Sequence, residues 1–124
     1  MKVKIDELSA AVELELSGYS EDIREAVRKA VKRVASVCVK TLQQTSPKKT
    51  GRYAKGWTMR MSKPQEEPAA VVYNKVYGWL THLLENGYAK AGGGRVAGRT
   101  HIRPAADAAQ RQLLEDVTQL IEEV

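Results

Sequence analysis

Apolar residues Ile23, Val27, Ala30, Val34, Cys38 and Leu42 recur at steps of four, three, four, four and four. Such steps return to one face of an α-helix, so the stripe predicts a single helix of about seven turns. Ser20 stands where its hydroxyl can accept an early backbone N–H, and Glu21 and Asp22 suit the positive end of the helix dipole. Pro47 ends the run. In a chain of 124 residues, a helix this long is the spine. Burying each large aliphatic contributes roughly 1.5–3 kcal/mol, so the stripe must face a sheet or a second helix.

Beyond Gly51 the period falls to two. Trp57, Met59 and Met61 alternate with Thr58, Arg60 and Ser62, as in a half-buried strand. A polar connector, "KPQEEP", leads to "AAVVYNK", which places Val71 and Tyr73 on one side and Val72 on the other. The two segments predict an antiparallel hairpin. Helical spacing returns through Tyr77, Trp79, Leu80, Leu83 and Leu84, and Asn86-Gly87 is a stop signal. A glycine-rich stretch follows, then a short extended "THIR". Pro104 opens a last helix striped by Ala105, Ala109, Leu113, Val117 and Leu120. The opening residues carry two signals: Leu8, Ala11, Val12 and Leu16 have helical spacing, whereas "VELEL" alternates. The expectation is a short helix ended by Gly18, with a strand as the alternative. The sum is α+β: a small antiparallel sheet packed against a long N-terminal-half helix and a C-terminal helix, in a single domain over 1–124 with a flexible basic loop at about 88–100.

The apolar fraction is 43% with no phenylalanine, so the core is built from Val, Leu, Ile and Ala. Cys38 has no disulfide partner and sits in the apolar run Val34–Val39, which predicts a buried, inert thiol. No stretch approaches the roughly 20 apolar residues of a membrane span, and the charged opening "MKVKIDELS" does not read as a signal peptide. A net charge of +5 favours an acidic partner. Arg24, Arg28 and Lys32, with Lys29 and Arg33 one step round, read as a solvated helix face. "SPKKTGRYAK" and "KAGGGRVAGRTHIR" add two basic clusters on turns or loops.

From Gly93 the chain spells Gly, four residues, Gly, Arg, Thr, one substitution from a phosphate-cradling loop. Such a loop follows a buried strand and opens directly into a helix. Here a helix precedes it, the lysine is missing, and Pro104 biases Arg103 away from helical backbone. The stretch therefore reads as a mobile basic loop. His82 reads as a packed or half-exposed helix residue, and His101 as a residue bonded to backbone. With one cysteine they are too few for a zinc site. Glu66-Glu67 and Glu122-Glu123 read as solvated charge. The expectation is a protein that is not an enzyme, with no cofactor, no metal and no small-molecule substrate.

Three stretches, in order, resemble one family. "SPKKTGRYAKGW" supplies Pro47, Thr50, Gly51 and Arg52; "VYNKVYGWLTHLLENGY" supplies Val72, Asn74, Tyr77, Leu84, Glu85 and Gly87; "HIRPAADAA" supplies Arg103, Pro104 and Ala105. The set is similar to the minor tail component family of lambdoid phages, also called head–tail joining or tail-completion proteins of the neck. The resemblance departs at Tyr88, where a small polar residue is usual, and in the long glycine-rich loop. It implies a non-enzymatic virion protein of a tailed phage or prophage, assembled in the bacterial cytoplasm. It also implies a ring oligomer, hexameric by resemblance, that touches neighbouring neck and tail proteins and no membrane. Glu85 near a helix C-terminus is electrostatically misplaced, which predicts a specific partner: Arg52, Arg103 or the N–H groups of the Thr50-Gly51 turn. Lys90, Arg95 and Arg99 would face passing DNA or clasp an acidic patch on an adjoining subunit. The alternative reading is a small basic nucleic-acid-binding protein making sequence-independent phosphate contacts.

Overall fold

The computed structural model describes residues 2–5, 9–13, 18–48 and 50–122. The stripe from Ile23 to Leu42 lies on helix α1, Glu21–Thr45. Ser20 caps it, its hydroxyl accepting the Ile23 N–H at 3.3 Å. Val27, Ala30, Val34, Cys38 and Leu42 are buried as the spacing requires, and Val31 and Ala35 widen the buried face. Gly51 turns the chain with φ near 83°. A single helical turn, α2 (Arg52–Lys55), then precedes strands β3 (Trp57–Met61) and β4 (Ala69–Asn74). These form the expected antiparallel hairpin, with Trp57 opposite Asn74 and Met61 opposite Ala70.

The N-terminal expectation is overturned. Backbone 2–5 and 9–13 forms strands β1 (Lys2–Ile5) and β2 (Ser9–Glu13), in a four-stranded sheet of order β1-β2-β4-β3. Ser9 stands opposite Tyr73 and Glu13 opposite Ala69, so the open edge of β4 recruits a small-residue segment that has little strand preference of its own. Leu8 and Leu16, cited for the helix, lie outside the described residues, as do Lys49 and Glu123.

After β4 come a 3-10 turn, Gly78–Leu80, and helix α3, Thr81–Asn86. The glycine-rich stretch is folded back on itself as a hairpin arm. Its strands are β5 (Gly87–Ala89) and β6 (Arg95–Ala97), with Tyr88 opposite Val96. Helix α4 runs Ile102–Glu122, so Ile102 and Arg103 are helical and not extended as expected. Pro104 then falls in the first turn, where its missing N–H costs nothing. The local bias against a helical residue before proline is overcome by a carboxylate that holds the N–H groups of Ile102 and Arg103.

Helices α1 and α4 pack together over the sheet. The core joins Val27, Val31, Leu42, Trp57, Val72, Ile102, Leu113 and Val117. Two surface expectations need correction. Arg24 bonds Glu67 at 2.8 Å. Arg28 donates to the Ser62 carbonyl and to that of Lys63 at 3.1 Å. These arginines pin the β3–β4 connector to α1, so neither they nor Glu67 are simply solvated. Their partners lie more than thirty residues away in sequence, beyond what helix spacing reveals.

Candidate functional site

The base of the β5–β6 arm holds a dense polar network. Glu85 ends in a carboxylate only 12% exposed. It accepts the backbone N–H groups of His101 at 2.6 Å, Ile102 at 2.8 Å and Arg103 at 3.0 Å. These are the orphan donors that open α4, so the acid misplaced at the end of α3 serves as the N-terminal cap of another helix. The expected partners were Arg52, the Arg103 side chain or the Thr50-Gly51 turn. The structure replaces them with this second helix start, brought close because the arm returns to its origin.

His101 lies behind the carboxylate, 2% exposed. Its Nδ1 is 2.7 Å from the Arg99 carbonyl and 2.9 Å from Glu85 Oε1. Both neighbours are acceptors, which assigns the hydrogen to Nδ1 and leaves Nε2 as acceptor. The Tyr53 hydroxyl, 2.6 Å from Nε2, completes the chain as donor. Tyr53 packs edge-on to Trp57, and the Trp57 indole N–H donates to Ser46 Oγ at 2.8 Å. Two hydrogen-bonded segments, Ser46–Trp57 and Tyr53–His101–Glu85, thus meet through the Tyr53–Trp57 ring contact and link the end of α1 to the arm.

Burial pulls the Glu85 carboxyl upward, but the three backbone N–H groups and the His101 ring outweigh it, and the net shift is below its ordinary value. Burial, helped by the Glu85 charge, pushes the Tyr53 hydroxyl up. Tyrosine, imidazole and carboxylate in sequence have the outline of a nucleophile, base and orienter. Here, however, the hydroxyl is buried and holds its proton more tightly than a free tyrosine, and every polar atom is committed to joining elements. The α4 N-terminus, where a phosphate would sit after a true phosphate loop, is filled by Glu85.

Arg99 and Arg95 close the arm's base. The Arg99 N–H donates to the Leu84 carbonyl at 2.8 Å, and the Arg95 guanidinium to the Asn86 carbonyl at 3.1 Å. Gly87 and Gly98 cross so closely that a Cβ on Gly98 would lie 2.4 Å from the Asn86 carbonyl carbon, and one on Gly87 2.5 Å from the Val96 oxygen. Only glycine fits both places. Lys90, Arg95 and Arg99 are all exposed, on an arm whose main contact with the body is α3.

The remaining motif residues serve the same frame. Thr50 Oγ1 accepts the Arg52 N–H at 3.4 Å, Pro47 follows the buried Ser46 at the end of α1, and the Arg52 side chain is exposed. Buried Asn74 donates to the Tyr53 carbonyl at 2.7 Å and accepts the N–H groups of Val76 and Tyr77 at 3.1 and 2.9 Å. It ties α2 to the turn after β4, and Tyr77 packs against the core. Gly87 ends α3, and Arg103 and Pro104 open α4 with exposed side chains. Sequence reasoning missed Tyr53, Trp57 and Ser46 as members of this network. Their only local signal was polar or aromatic residues flanking a proline and glycine turn. His82 is half-buried, and its Nδ1 is buried with no hydrogen-bond partner among the described residues.

A protein-family model described as "Bacteriophage HK97-gp10, putative tail-component" matches residues 10–87, more than half of the chain. The match takes in β2, α1, the hairpin and α3, and stops where the arm begins. None of the curated proteins and none of the solved structures matches the chain.

Proposed function

This chain belongs to the HK97-gp10-like family of bacteriophage tail components, and from that premise we propose that it is a non-enzymatic ring subunit of the neck or tail end. It acts in the virion of a tailed phage or prophage as a head–tail connector or tail-completion component. In this reading the 1–124 domain is an inert body. Its contacts are copies of itself and the neighbouring neck and tail proteins. The observation that carries the reading is the clamped arm: a basic hairpin held at both ends by Glu85, His101 and Arg99, and committed to little else in its own chain. An isolated two-stranded hairpin is marginal in water, so an arm of this kind gains from a neighbour's surface.

The test is deletion of the gene from a phage or inducible prophage that carries it, followed by electron microscopy. Unjoined heads and tails, or tails with defective ends, are expected, with rescue by the wild-type gene. Normal infectious particles would refute the role.

The exposure of Lys90, Arg95 and Arg99 favours a second reading, sequence-independent binding to phosphates. It predicts tight DNA binding by the free subunit that weakens steeply with salt. The ring reading predicts weak binding at physiological salt together with self-association.

A further inference from the structure

Away from the arm, the described surface carries two apolar features of opposite shape. One is a groove of about 430 Å³ between α1 and α4, floored by Val34, Val37, Cys38, Ala105 and Ala109. Val37 is 59% exposed there. The other is a knob on the turn after β4, where Trp79 is 65% and Val76 48% exposed. A tryptophan left in water forgoes the burial of some 150–250 Å², and Trp79 is the most exposed large hydrophobic side chain among the described residues.

Their charges also match. The Lys75 N–H donates to the Gly56 carbonyl, which sets the knob beside α2 with its Arg52 and Lys55. No acidic residue occurs between Lys48 and Gln65 or between Pro68 and Leu84. Across the groove Arg33 and Asp116 face each other at 3.8 Å, so their charges largely cancel. Beyond that pair the α4 side carries exposed Glu115 and Glu122, with Arg111 one turn before Glu115. A basic knob entering the groove is drawn toward Glu115.

We propose that the Trp79 knob of one copy seats in the α1–α4 groove of a second copy, with Lys55 and Lys75 lying over Glu115. The inference rests on the ring reading and gives it its contact surfaces. Knob and groove are different patches of one chain, so the contact is heterologous. Each subunit offers one and receives one, the arrangement that generates rings or open helical arrays.

Sedimentation and native mass spectrometry of the full chain over a concentration series test it. Because Trp79 is exposed, W79A keeps the wild-type melting temperature but weakens self-association about tenfold or more. K75E weakens it too, and adding E115K recovers part of the loss. V76C and Q112C in one chain, joined by a short bis-maleimide, give a ladder of oligomers. The two single variants mixed stop at heterodimers, and neither alone gives dimers. A chain that stays monomeric throughout overturns the ring reading and this interface together. A chain that assembles while W79A assembles equally well, with no ladder, overturns the interface alone. If W79A and K75E instead weaken binding to a DNA duplex and leave self-association intact, the face belongs to nucleic acid and the proposal falls.

Discussion

Replacing Glu85 by glutamine removes one charge and one acceptor while keeping the side chain's shape. In the native protein Glu85 Oε1 takes two N–H groups and Oε2 a third. The amide keeps its oxygen toward His101 and Ile102 and turns its NH2 toward Arg103, whose exposed N–H can be satisfied by water. Two bonds fall from charge-assisted to neutral, a loss of about 1 kcal/mol each. The helix-dipole term removes a further 0.3–1 kcal/mol or so. These are not strictly additive, so about 2 kcal/mol is expected for E85Q, or a fall in Tm of roughly 6–10 °C. E85A leaves buried donors with no acceptor and costs more, about 3–4 kcal/mol. The pH dependence gives the sharper check. Glu85 is held below its ordinary value of 4.5, so its contribution is complete above that value and disappears as pH falls through the lower, folded value. Thermal unfolding of wild type and E85Q should therefore differ near neutral pH and converge in acid below the depressed value. Equal melting near neutral pH, or a gap that persists undiminished into strong acid, would refute the clamp.

Tyr53→Phe removes the donor to His101 Nε2 and leaves a buried nitrogen without a partner; urea unfolding should show a loss of about 1–3 kcal/mol with an unchanged slope. Gly98→Ala forces a Cβ against the Asn86 backbone, so hydrogen exchange at the Arg99 N–H should speed up while amides in the middle of α1 keep their protection. Burial pushes the Cys38 thiol up to about 11; roughly one thiol in ten thousand is ionised near neutral pH, and a disulfide reagent should label it far more slowly in the folded protein than in urea.

Both long helices were legible because Val27, Val34 and Leu42, or Leu113 and Val117, repeat the helical period over many turns. The β3–β4 hairpin was legible from Trp57, Met59 and Val72 in the same way. Strand β2 was not. Ser9, Ala10 and Ala11 have weak strand preference, and the edge of β4 that recruits them lies some sixty residues away. The site was half visible. Glu85 stood out as an acid at the wrong end of a helix, but its partners lie sixteen to eighteen residues on, across a returning arm whose length hides the closure. Tyr53 and His101 are separated by 48 positions and carry no pattern that pairs them. The basic residues of α1 misled for a related reason: Arg24 and Arg28 look solvated on a helical wheel and are instead ties to a distant connector.

Pinning the arm at Glu85 and again at His101 makes everything between them modular. The turn at Gly92–Gly94 is exposed, so a longer, shorter or recharged tip can be spliced in there while the two fastened ends keep their places. On the ring reading, the reach and charge of the arm can change there with no redesign of the helices that carry it.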